Sequence, residues 1–219
     1  MNKIVLENDT VIENNLDRAI ELEVIEKNIF FTVNTLQITI HETTSLEIDY
    51  HVLKRSKLNI KITVLPNVSF TLVERRKGRK LKVQYQLELQ EKSEITWDRC
   101  FKNESMRELD IVQLNGVGAT FRMTLSTVAR GNEKYDMMFY HNASKTTCDF
   151  VNEGKTLKHG KIIFQTTNVV ERGKKDCVIS EKQSIITENE RECKIVPNLL
   201  LEEDSVEVHQ EVWIKEREQ

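Results

Sequence analysis

The sequence predicts an all-β protein. Three observations carry that prediction: long runs of strict apolar–polar alternation, a near absence of helical periodicity, and short apolar bursts that recur through the second half. Alternation with period two puts one set of side chains on a buried face and the other in water. Leu58, Ile60, Ile62 and Val64 alternate with Asn59, Lys61 and Thr63. Val68, Phe70 and Leu72 alternate with Ser69 and Thr71, and Leu81, Val83, Tyr85, Leu87 and Leu89 alternate with Lys82, Gln84, Gln86 and Glu88. Strands are also expected at Phe31–Ile40, Glu94–Trp97, Phe121–Leu125 and Met137–Tyr140. Only Leu16–Ile25 hints at a helix; its apolar positions fit either period, and strand is preferred. After residue 110, bursts begin at Phe121, Met137, Phe150, Ile162, Val178, Ile195 and Val206. Their spacing of roughly 12–16 residues, without a strict repeat, suits a sandwich or a β-helix and does not choose between them. Two prolines and seven glycines are few for so many strands, so Asn, Asp, Lys and Ser must make the turns.

A chain of 219 residues fits one domain, taken as 1–219, and is long enough to bury a core without disulfides or metals. The polar segment Lys102–Glu108 is the best place for a loop or soft boundary within it. The net charge of −3 makes no global case for nucleic acid or an anionic membrane as partner. No apolar stretch approaches the ~20 residues of a membrane span, and the first residues lack the apolar region of a signal peptide. A cytoplasmic location is therefore expected. Cys100, Cys148, Cys177 and Cys193 form no CxxC pair, so free, reduced, structural thiols are expected rather than a metal or cluster site.

The densest charge feature is Arg75, Arg76, Lys77, Gly78, Arg79, Lys80 and Lys82. It reads as a solvated hairpin turn between two alternating strands; the sharper alternative is a phosphate-contacting loop. Gly116 and Gly118 lack the third glycine, the lysine and the helix of a nucleotide loop, so a turn or close strand packing is expected, with Val117, Ala119 and Phe121 continuing as strand. His41, His51, His141, His159 and His209 form no HExxH or closely spaced pair, and no GxSxG elbow occurs. Glu202, Glu203 and Asp204 read as an acidic turn. A non-enzyme is expected.

One segment resembles a known family. In order, it contains Leu114-Asn115-Gly116-Val117-Gly118-Ala119, then Tyr140–Cys148 (YHNASKTTC), then Glu153-Gly154-Lys155 as a Lys–Gly turn. Lys161–Gln165 follows, with glutamine where a glycine is usual, and the segment closes with Pro197–His209 (PNLLLEEDSVEVH). Over residues 109–212 this layout resembles the core of the SufB/SufD family, scaffold proteins of iron–sulfur cluster assembly. The resemblance implies a right-handed parallel β-helix, with a short N-terminal β extension as an option. The two cysteines of SufB-type members align near Asp110 and Leu200, so the thiolates needed for sulfur acceptance are absent. The chain is thus similar to the SufD-type partner, a non-catalytic subunit. His209 is the nearest match to the family's interface histidine, which the resemblance implies as the candidate ligand residue. No intrinsic cofactor is implied, only a transient iron–sulfur cluster within a complex. The implied partners are a SufB-like subunit or a second copy of the chain. About ten residues follow His209 in this sequence, too few for the helical tail that docks the SufC-like ATPase in the family, so direct docking of that ATPase is not expected of this segment. The alternative is a degenerate β-helix interaction module without a cluster role.

Overall fold

Strict alternation dictates the strands. The computed structural model describes residues 2–27, 33–157, 159–187 and 192–216. The described residues form fifteen strands and no helix, so none of them provides a helix long and apolar enough to cross a membrane. The strands are β1 (Asn2–Glu7), β2 (Thr10–Asn15), β3 (Ile20–Ile25), β4 (Asn34–Ile40), β5 (Thr44–Val52), β6 (Ser56–Val64), β7 (Ser69–Leu89) and β8 (Glu94–Leu114). They continue with β9 (Thr120–Ala129), β10 (Asn132–His141), β11 (Thr147–Thr156), β12 (Lys161–Val170), β13 (Val178–Thr187), β14 (Lys194–Leu201) and β15 (Glu207–Glu216).

These strands wind into a β-solenoid of about 7 turns, with mostly parallel pairing. One face carries β1, β5, the first half of β7, the first half of β8, β9, β11, β13 and β15. The other carries β4, β6, the second halves of β7 and β8, then β10, β12 and β14. Each coil crosses from the first face to the second and returns by a turn. Ser69 aligns with Glu94, Thr120, Thr147, Val178 and Glu207 in successive coils. One coil therefore takes about 25–30 residues, within the range of solenoid repeats. The bursts seen in the sequence recur at half that interval because they mark faces, not coils. Parallel register resolves the choice between sandwich and solenoid.

Inward residues stack in columns between the faces. Phe70, Ile95, Phe121, Cys148 and Ile179 form one, and Val64, Leu89, Leu114, His141 and Val170 form another; all are buried. Phe139 stacks on Phe150 with ring centroids 4.7 Å apart, joining the two faces. At the N-terminal end, β2 pairs antiparallel with β1, and β3 pairs antiparallel with β4. These two strands cover the first coil, forming the expected β extension. Ile20–Ile25 is strand, as preferred, while Leu16–Ala19 precedes it as a non-strand segment. The part of the Phe31–Ile40 expectation at 31 and 32 lies outside the described residues; the strand runs from Asn34.

Four local readings need correction. Residues 75–82 are not a hairpin turn: they lie within β7, which bends from one face to the other at Gly78. A Cβ there would sit 2.3 Å from the Val52 carbonyl oxygen, so the close approach of the neighbouring coil requires glycine. Lys102–Glu108 is likewise the bend of β8 rather than a loop or boundary. Glu153-Gly154-Lys155 lies inside β11, not in a turn. Val117 is exposed in the turn before β9, which starts at Thr120. Parallel coiling explains the first two, because each chain stretch at a bend pairs with the coils on either side.

Candidate functional site

The last coil is one of the two ends of the solenoid, and its strands are unpaired on one edge among the described residues. β14 pairs only with β12, and β15 only with β13. Among the described residues, no strand lies on the other edge of either. Both strands depart from the clean in–out burial of the inner coils. Leu200 is 57% exposed, and Val196, Leu201, Val212 and Trp213 are also exposed. Pro197, in β14, sits where a missing backbone donor is tolerated, on an edge strand. An edge with free backbone groups and apolar side chains is a template for pairing with another chain.

His209 stands on this coil. It is exposed on β15, and its Nε2 lies 2.7 Å from Glu207 Oε1. In register it faces Ser180 of β13. Among the described residues, no group of three His, Cys, Asp or Glu side chains gathers in a way that could hold a metal ion. Leu200 shares the last coil with His209. Asp110, the other aligned position, lies on β8, several coils away and buried. The structure therefore brings only Leu200 and His209 onto one coil.

All four thiols are free; Cys148, Cys177 and Cys193 are buried, and Cys100 is exposed. Burial pushes the Cys148 thiol well up, which disfavours the thiolate. Cys177 packs beside Thr146, whose Oγ1 lies 3.3 Å from its sulfur and 2.7 Å from His141 Nδ1. His141 is buried, and burial lowers its pKa to about 4, so it is neutral in the fold near neutral pH.

The interior holds a polar network that the alternation pattern concealed. Glu74, Arg76, Arg99 and Glu108 have fully buried side chains. Arg76 reaches Glu74 at 2.5 Å and Glu108 at 2.7 Å, so it ties the first face to the second. Arg99 also pairs with Glu108, and it reaches Asp110 at 2.9 Å. The Tyr85 hydroxyl donates to Glu74 at 2.6 Å. Arg99 lies 3.9 Å from the Trp97 ring centroid, and Arg76 4.1 Å from that of Phe101. Burial pushes the Asp110 carboxyl well up, reinforced by the charge of Glu108, while Arg99 pulls the other way. Burial opposes ionisation of Glu108 too, but Arg99 and Arg76 outweigh it and hold this carboxyl below its usual value. Two guanidinium groups thus meet three acidic side chains in the buried interior. Such a network fixes how the faces meet, because losing one partner leaves a buried charge uncompensated.

Sequence reasoning missed Glu74 and Arg99, and it placed Arg76 in a solvated basic turn and Glu108 in a loop. The signal was present: each falls on the inward phase of its strand, as Leu72 and Leu87 do. The chain matches no protein-family model and no curated protein.

Proposed function

We propose that the protein is a non-catalytic, SufD-like scaffold subunit that pairs through its last coil with a SufB-like protein during iron–sulfur cluster assembly. The observation that carries this reading is the uncovered edge of β14 and β15 with its exposed Leu200, Leu201, Val212 and Trp213. The β-solenoid is the fold that the family resemblance implies, and the order of its motifs over 109–212 supports the assignment. On this reading a cluster is cargo held transiently at the interface, with His209 its ligand on this side. The setting would be cytoplasmic, and a SufC-like ATPase would join through the SufB-like partner. Pairing of two copies through the same edge is the homodimeric form of the proposal.

A second reading is a β-solenoid interaction module without a cluster role. Its support is specific: His209 has Glu207 and no thiol beside it, and three of the four thiols are buried. Co-purification with SufB-like and SufC-like proteins under reducing conditions tests the first reading. The wild type is expected to capture the SufB-like protein, and Leu200→Lys/Trp213→Ser to lose it while keeping its melting curve. Absence of capture by the wild type sinks the assignment. Anaerobic reconstitution of a captured complex then compares wild type with His209→Ala. A lower cluster yield in the variant supports the ligand role, and an equal yield moves the protein to the second reading.

A further inference from the structure

The basic run in β7 is left unexplained by an interface on the last coil. The bend in β7 turns Arg76 inward and leaves Lys77, Arg79, Lys80 and Lys82 outside. Neighbouring coils then add cations that are distant in sequence. On the second face, Lys57 of β6, Lys82 of β7 and Arg107 of β8 occupy one line of register. All three are exposed. On the first face, Lys77 and Lys102 are register partners. Adjacent strands are ~4.8 Å apart, so each row is a close-set ladder of like charge running along the solenoid axis. Like charges directly opposite one another are destabilising. The second-face row ends at Lys134, which Asp136 binds at 2.9 Å, whereas Lys57, Lys82 and Arg107 have no ion pair among the described residues.

Each row borders a groove. Lys77, Arg79, Lys102 and Arg130 line one of about 810 Å³, with Glu104 as the one carboxylate. Arg55, Lys57, Lys80, Lys82 and Arg107 line another of about 540 Å³ with no carboxylate. A protein of net charge −3 therefore concentrates unpaired positive charge on one bend.

We infer that this bend binds the phosphate backbone of duplex nucleic acid. Two parallel cationic rows fit two rows of phosphates. Along β7, Lys77 and Lys82 are at most ~16 Å apart at ~3.3 Å per residue, and the bend shortens that span. This is comparable to the ~12 Å major groove that phosphate rows border in a duplex. No Phe, Tyr or Trp lines either groove, so the stacking platform of a single-strand site is missing. Contacts to phosphates alone carry no sequence information, so binding is sequence-independent and salt-sensitive. Summed charge makes no global case for a nucleic-acid partner, but it is blind to how the coils distribute that charge.

The test is fluorescence anisotropy of the full chain with a labelled 20-base-pair duplex. Saturable binding is expected at about 50 mM salt, weakening on the order of 10²- to 10³-fold by 200 mM. Lys82→Gln/Arg107→Gln is expected to reduce the slope of log affinity against log salt by about two, while Lys182→Gln leaves it unchanged. The double variant should melt no lower than wild type, because it relieves repulsion between exposed like charges. No saturable binding at 50 mM salt overturns the inference. So does equal binding by the double variant. Tighter binding of a single strand, of polyglutamate or of phosphatidylserine vesicles overturns it in favour of that ligand.

Discussion

His141 and Glu133 show how burial at single positions sets the response to pH. Burial raises the Glu133 pKa from 4.5 to about 7, although hydrogen bonds from Thr127 and Tyr135 pull the other way. The folded state therefore holds a proton that the unfolded state releases, and stability falls as pH rises between those values. His141 behaves oppositely. Its pKa drops from 6.5 to about 4, so the unfolded state binds the proton first and stability is lost as pH falls through that window. Each group is worth up to roughly 3 kcal/mol, and the two slopes oppose each other where the windows overlap. Glu133→Gln should therefore gain stability relative to wild type as pH rises from 4.5 to 7. His141→Gln should lose its disadvantage as pH falls from 6.5 to 4. Urea unfolding across that range checks both; difference curves flat with pH would refute the assignment. At this scale the sequence was only partly readable. Alternation marks Glu133 and His141 as inward positions, but their protonation depends on what the facing coil brings to them.

The turns that return the chain from the second face to the first form a column of left-handed residues. Asn67, Lys92, Lys145 and Asp176 all have φ between 52° and 60°, and Gly118 has φ 73°. Backbone bonds link the column: Asn67 N to Glu91 O, Lys92 N to Val117 O, Gly118 N to Ser144 O, and Lys145 N to Lys175 O. The scarcity of glycine predicted turns built from Asn, Asp, Lys and Ser; Asn, Asp and Lys supply these left-handed positions, and Ser supplies none of them. Lysine is the poorest choice among them, because its Cβ crowds the carbonyl in the left-handed region at a cost of roughly 1–2 kcal/mol. Lys145→Gly recovers that cost less the entropy of a freer unfolded chain. A net gain of about 0.5–1 kcal/mol is expected from thermal melts, with Asn67→Gly gaining less because Asn tolerates this conformation. A Lys145→Gly melt lower than wild type would show that the lysine side chain contributes elsewhere. The readable part of this element was composition; which residue of each turn goes left-handed depends on stacking against the next turn.

Over the whole molecule, stability is distributed along one axis. Each coil contacts mainly its neighbours, so terminal coils with one neighbour are the least protected. Among the described residues, β2 and β3 at one end and β14 and β15 at the other each pair on one side only. Native-state hydrogen exchange should therefore be fastest in the end strands β2, β3, β14 and β15 and slowest in β7 and β8, and capture of a partner should slow the last coil selectively. Uniform protection along the axis would contradict this. The all-β class and most inner strands followed from the sequence alone, because period-two alternation at Leu58–Val64 or Leu81–Leu89 reports a face locally. Parallel coiling, the burial of Arg76 within a run of surface cations, and the alignment of Lys57, Lys82 and Arg107 did not. Those relations join residues about 25–50 positions apart, and only the stacking of one coil on the next brings them into register.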